Sequence, residues 1–167
     1  MICSNIVGNS VYEKSTFVMC DCSSHIMTLF VYKGYEGNLF TGADYFGYYK
    51  PGKHCNPDVW FEDVSCLTRI SSFLKSCKVD ENVCTEITVP VSSGSFKVSY
   101  DKSLGYIDFD RYASKSPKKS EKVLWNVCIK TAYIDELTTE IDGLIKFVED
   151  KKKDDCCFWF QYSIGRN

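Results

Sequence analysis

The chain has 167 residues, 44% of them hydrophobic, which is enough to bury a core in one compact domain, 1–167, or in two small packed halves. A net charge of −2 and a pI of about 5.7 remove the global attraction to phosphate that most nucleic-acid binders use, leaving only a local basic patch for that role. No stretch approaches the roughly 18 uncharged apolar residues of a membrane helix, and residues 1–15 lack a basic start followed by an apolar run, so a soluble, unexported, cytoplasmic protein is expected.

In that compartment the ten cysteines read as reduced thiols, most of them small buried hydrophobes, rather than as a disulfide framework. Eleven Tyr and eleven Phe favour half-buried pleated surface, so the chain is expected to be β-rich. Residues 1–15 are polar and weakly patterned, an arm or a short edge strand. Residues 17–22 and 26–33 are rich in β-branched and aromatic side chains, and Ser23-Ser24-His25 between them fits a tight antiparallel connection. After a turn at 34–38, residues 39–49 carry Tyr45, Phe46, Tyr48 and Tyr49 and read as a third strand, with Gly42 and Gly47 allowing a bulge or bend.

A loop over 50–58 leads to the first helix, in which Cys66, Leu67, Ile70, Phe73, Leu74 and Cys77 form one apolar stripe. Glu62 and Asp63 near its start and Lys75 and Lys78 near its end suit the helix dipole. Residues 84–91, 95–100 and 105–112 read as a three-strand meander divided by Ser-Ser-Gly and by a turn at 101–104. A lysine-bearing loop over 113–122 precedes a fourth strand at 123–130, where Leu124, Trp125, Val127, Cys128 and Ile129 cluster. Ile134, Leu137, Ile141, Leu144, Ile145 and Val148 then mark a second amphipathic helix.

The expected class is therefore α+β, with antiparallel β-rich sheets and two amphipathic helices in strands-then-helix order in each half, 16–78 and 84–150. No residue-by-residue repeat links the halves. The aromatic tail, 156–167, is expected to add an edge strand or to pack on a partner, which makes a homodimer plausible. Extended, it would point Cys156 and Cys157 to opposite faces, a poor chelating pair.

Cys20, Cys22, His25, His54 and Cys55 are the pool for a zinc site, although one residue between Cys20 and Cys22 is fewer than structural zinc knuckles use. Without zinc, these are two core-facing thiols and a turn histidine, and no cofactor is needed. No thiol is framed by a strained turn or a helix start, and no phosphate loop or paired ligand motif occurs, so the expectation is a non-enzyme. Lys115, Lys118, Lys119 and Lys122 surround Pro117, and Lys50 and Lys53 flank Pro51-Gly52. Such loops can track a single nucleic-acid strand, and the plain alternative is a solvated hairpin tip, which the net charge favours. Among the aromatics, Trp125 reads as core, while Tyr48, Tyr49, Trp60 and Trp159 are candidates for a protein-binding surface.

The stretch FVMCDCSSHIMTLFVYK at 17–33, followed by the helix LTRISSFLKSC at 67–77, resembles small bacteriophage-encoded proteins that open with a Cys-x-Cys-x-x-His strand pair. The resemblance covers about the first 85 residues and departs from that pattern in a longer loop at 34–58. It implies an accessory host-takeover or anti-defence protein that binds and inhibits or redirects a host protein complex in the infected cell. The order of strands and helices, with YIDFDRYASKSPKKSEKVLWNVCIK at 106–130, also resembles Whirly-type and coactivator-type single-strand DNA-binding folds, which implies a nucleic-acid partner.

Overall fold

The structure, a computed structural model, describes residues 2–4, 12–46, 59–80 and 85–165, with the backbone alone described at 3, 4, 46 and 154–165. Five antiparallel strands, β1 (Ile2–Ser4), β2 (Lys14–Met19), β3 (Ile26–Lys33), β4 (Leu39–Phe46) and β5 (Val59–Trp60), form the first sheet in chain order. Helix α1 (Ser65–Val79) follows. The second sheet is a four-stranded meander of β6 (Glu86–Val91), β7 (Gly94–Asp101), β8 (Tyr106–Tyr112) and β9 (Trp125–Lys130), followed by α2 (Ile134–Gly165). The fold is thus α+β, strands then helix in each half.

Period-two alternation sends Met27, Leu29 and Val31 of β3 to the core, and Val98, Ile107, Phe109, Val127 and Ile129 of the second sheet join them. Both helices lay their apolar stripes on this surface. The six stripe residues expected in α1 are all buried, as are Ile134, Leu137, Ile141, Leu144 and Val148 of α2. Ser71 donates to Asp142 at 2.6 Å, Lys75 pairs with Asp142 at 2.6 Å and Lys78 with Asp135 at 2.5 Å, so the two helices run antiparallel. Burial alone would raise the Asp142 carboxyl, but the Lys75 ammonium and the Ser71 hydroxyl outweigh it and hold it below the usual carboxylate range.

Two hydrogen-bonded seams join the sheets. At one, the Phe61 amide donates to Thr41 at 3.0 Å, Phe61 bridges Val91, and the Ser92 amide donates to Trp60 at 3.1 Å. At the other, the Asp21 amide, just past β2, donates to the Cys128 carbonyl of β9 at 2.8 Å. Between the seams the Tyr45 ring of β4 stacks on Trp125 of β9 at 4.8 Å and 7°.

Several expectations change. The register of β3 with β4 is unbroken from Ile26↔Phe46 to Lys33↔Leu39, so Gly42 makes no bulge. Its missing side chain instead admits neighbours, because a Cβ there would lie 2.1 Å from the Val59 carbonyl oxygen and 2.6 Å from the Phe30 ring. Gly47 lies outside the described residues. Leu124 is exposed, since β9 begins one residue later. The tail to Gly165 is helical rather than an edge strand: no Gly or Pro interrupts residues 144–164, so α2 has nothing to stop it. On that helical backbone, the reading of Cys156 and Cys157 as an extended pair no longer applies.

Candidate functional site

The face of the second sheet turned away from the helices is polar. Register places Thr88, Lys97, Asp110 and Asn126 in one row across it, Glu86, Ser99, Asp108 and Cys128 in the next, and Pro90, Ser95 and Tyr112 in a third. The alternation that buries Phe96 and Val98 turns Lys97 outward, a signal present in the sequence and easily missed beside the longer lysine run.

The 113–122 loop is tied down at its base. Buried Arg111 donates to the Ser93 carbonyl at 2.9 Å, to the Ser93 hydroxyl at 2.8 Å, and to the Tyr112 carbonyl. The Ser95 hydroxyl donates to the Ser114 carbonyl at 2.7 Å, the Ser114 hydroxyl to Glu121, and the Glu121 amide to the Lys118 carbonyl at 2.9 Å. Gly94, at φ +142°, is needed here because a Cβ would lie 2.2 Å from the Tyr112 carbonyl oxygen.

So anchored, the loop borders the polar face of the sheet, with its lysines exposed. It encloses an open cleft of about 680 Å³ lined by Lys97, Lys115, Lys118, Lys119 and Tyr112, with Glu86 on its wall. Lys122 is exposed but does not line the cleft. Lys97 sits 5.5 Å over the Tyr112 ring and 3.7 Å from Glu86. Burial works against its charge, yet the hydrogen bond to the Tyr112 phenol and the nearby Glu86 and Asp110 outweigh that and hold Lys97 above its ordinary value. Burial, aided by Asp108 and opposed by the Asn126 hydrogen bond, raises the Asp110 carboxyl. Asn126 donates to both carboxylates, at 3.1 Å to Asp108 and 2.7 Å to Asp110. The polar face therefore has a lysine-rich end and an acidic end.

The Cys-x-Cys-x-x-His stretch lies at the second seam. The Cys20 amide donates to the His25 carbonyl at 2.9 Å, closing the β2–β3 connection, and the His25 ring meets Tyr45 edge-on at 5.2 Å. The Cys20 sulfur accepts the Cys128 amide at 3.4 Å, and the Lys130 amide donates to Asp21 at 2.8 Å. Burial would raise the Cys20 thiol, but hydrogen bonds from Ser23 and from the Cys128, Cys22 and Ser23 backbone lower it on balance. Cys22 is exposed, not core-facing as the strand reading had it, because it sits in the bend after β2. Among the described residues no three His, Cys, Asp or Glu converge to hold a metal ion, and His54 and Cys55 lie outside them.

Trp60 belongs to β5. It is half-buried and meets Phe30, Tyr32 and Phe40 edge-on at 5.4, 5.6 and 6.1 Å. Tyr48, Tyr49, Lys50 and Lys53 lie outside the described residues, and at Trp159 only helical backbone is described. Among the described residues no helix is long and apolar enough to cross a membrane.

No protein-family model and no curated protein matches the chain.

Proposed function

We propose that this protein binds single-stranded nucleic acid in the lysine cleft of its second sheet. The carrying observation is the convergence of Lys97 from β7 with Lys115, Lys118 and Lys119 from one anchored loop. Lysines gathered in a groove take up backbone phosphates whatever the net charge of the chain, since a close cluster acts within a Debye length. Tyr112 is only 7% exposed, so it holds Lys97 and offers no open face to a base. Interactions with phosphate then dominate, and sequence preference is weak. The acidic end, with Glu86, Asp108 and Asp110, repels a rigid duplex laid across the sheet, whereas a flexible strand can follow the loop. The strands-then-helix order of each half, shared with the Whirly-type and coactivator-type folds that the sequence resembles, supports the same reading.

The test is fluorescence anisotropy of labelled single-stranded DNA and RNA, and of a duplex of equal length, across a salt series. Binding should weaken steeply with salt. Replacing Lys118 and Lys119 by Ala should flatten the log–log slope by about 1.4, at ~0.7 for each phosphate that is no longer neutralised. No oligonucleotide binding at low salt overturns the function, and equal affinity for duplex overturns its single-strand part.

A second reading follows from the outer face of the first sheet, where Tyr32 and Phe40 are cross-strand partners and Trp60 lies opposite Gly42. Phe40, 45% exposed, and Tyr32 meet half-buried Trp60 edge-on, an aromatic patch of the kind that anchors protein partners. It fits a phage-encoded accessory protein that occupies a host protein. Loss of partner affinity in Phe40→Ala and Trp60→Ala, with folding intact, supports it; unchanged affinity in both removes it.

A further inference from the structure

The first seam carries the outer face of one sheet into that of the other. Phe61 and Val91 bridge there and are both buried in the core, so alternation turns their neighbours Trp60 and Pro90 to the outer face. The Ser92 amide donates to the Trp60 carbonyl at 3.1 Å, which sets the two strands side by side at that point. Pro90 lines the lysine cleft, and on the other side of the seam the Phe40 ring lies 6.1 Å from the Trp60 indole. Phe40 is 45% exposed and rests on backbone: Gly34 has no side chain, and a Cβ there would lie 2.6 Å from the Phe40 ring. Trp60 meets the same ring edge-on at 81°, and Tyr32, the cross-strand partner of Phe40, meets Trp60 in turn. A ring seated on backbone and propped by a neighbour, with much of its surface open, is a fixed apolar plate of the kind on which nucleic-acid bases stack.

We propose that Phe40, backed by Trp60, is the base-stacking platform for the single strand whose phosphates lie in the lysine cleft. The platform depends on single-strand binding in that cleft and supplies what the cleft lacks, since Tyr112 is buried and offers no face to a base. Lys97, Lys115, Lys118 and Lys119 hold phosphates, and the strand then crosses the seam past Pro90 and lays a base on Phe40. Glu62, Asp63 and Lys152 line the hollow beside Phe40, a net negative border that holds a base better than a phosphate. Every base has an aromatic face, so the platform adds affinity with little sequence preference. Continuity with the cleft favours a base over a protein side chain on the same patch.

The full chain is titrated, by fluorescence anisotropy, against a labelled single-stranded DNA and against an abasic strand of equal length that keeps every phosphate and lacks every base. The base-bearing strand should bind about tenfold more tightly. Phe40→Ala should abolish that preference while leaving the salt slope and the affinity for the abasic strand unchanged. Phe40→Tyr should keep the preference, and Gly34→Ala, whose backbone at φ −83° accepts a side chain, should reduce it by pushing the ring off its seat. Phe40 is exposed enough for its alanine variant to keep the fold, and the wild-type comparison needs no variant. Equal wild-type affinity for the two strands overturns the platform and leaves the cleft standing. A preference that survives Phe40→Ala also overturns it and returns the patch to a protein partner. No binding of either strand removes the cleft reading and the platform with it.

Discussion

The backbone amide of Cys128 donates to the sulfur of Cys20 at 3.4 Å, across 108 positions of sequence. Cys20 thereby satisfies a donor on the free edge of β9, and Asp21 does the same for Lys130 two residues on. A stretch whose residue types suggest metal chemistry thus serves to close one sheet against the other.

Replacing Cys20 by Ala should therefore destabilise the protein by about 1 kcal/mol, since a part-buried amide loses its acceptor. Cys22→Ala, at an exposed position, should cost less. Urea unfolding of the two variants under reducing conditions measures the difference, and equal costs would deny Cys20 its edge-sealing role.

Gly94 and Gly105 both have positive φ, +142° and +76°, but only Gly94 is crowded, because the nearest atom to a Cβ at Gly105 is 3.9 Å away. Gly105→Ala should cost about 1 kcal/mol, a conformational penalty alone. Gly94→Ala should cost more than about 2 kcal/mol, because the carbonyls of Tyr112 and Ala113 must move. Oligonucleotide affinity should fall in the Gly94 variant only, since those carbonyls begin the lysine loop.

The raised carboxyl of Asp110 gives a signed pH dependence. Its folded form binds the proton more tightly than the unfolded chain, so its contribution is most favourable below the unfolded value of roughly 3.9 and declines as pH rises through the folded value. Asp110→Asn keeps an oxygen to accept from Asn126 and removes the half-buried charge. It should raise the melting temperature at pH 7 and change it little at pH 3.5, and it should tighten oligonucleotide binding at pH 7. A gain confined to low pH would contradict the assignment.

Trp125→Ala should cost about 3–5 kcal/mol, because the indole both stacks on Tyr45 and fills the core between the sheets. His25→Phe should cost less than about 1 kcal/mol if the imidazole acts through its ring packing on Tyr45. A large loss in His25→Phe, measured by the same urea titration, would point to a polar role for the imidazole instead.

Much of the fold was legible because it is written in local periodicity. Stripes at helical spacing in 66–77 and 134–148 each report one face of one helix, and burial followed them closely, while the β-branched and aromatic content of 26–33 marks a strand that is buried on both faces. The misreadings arose where a neighbour distant in sequence decides. Gly42 looks like a bulge until Val59 and Phe30 close on it. The tail looks like a strand because aromatic content favours sheets, whereas an uninterrupted helix simply runs on into it.

The candidate cleft was half legible. Lys115, Lys118 and Lys119 are adjacent in sequence and visible as a group, while Lys97 joins them only through the β6–β7–β8 register and the Arg111 anchor. The chain by itself determined the α+β class, the two strands-then-helix halves and the core faces of the helices, since these rest on short-range propensity and apolar period. Tertiary structure alone decided that Lys97 joins the lysine loop at one cleft and that Cys20 seals β9. These are pairings across tens of residues, set by which edges and surfaces remain unsatisfied once the local elements have formed.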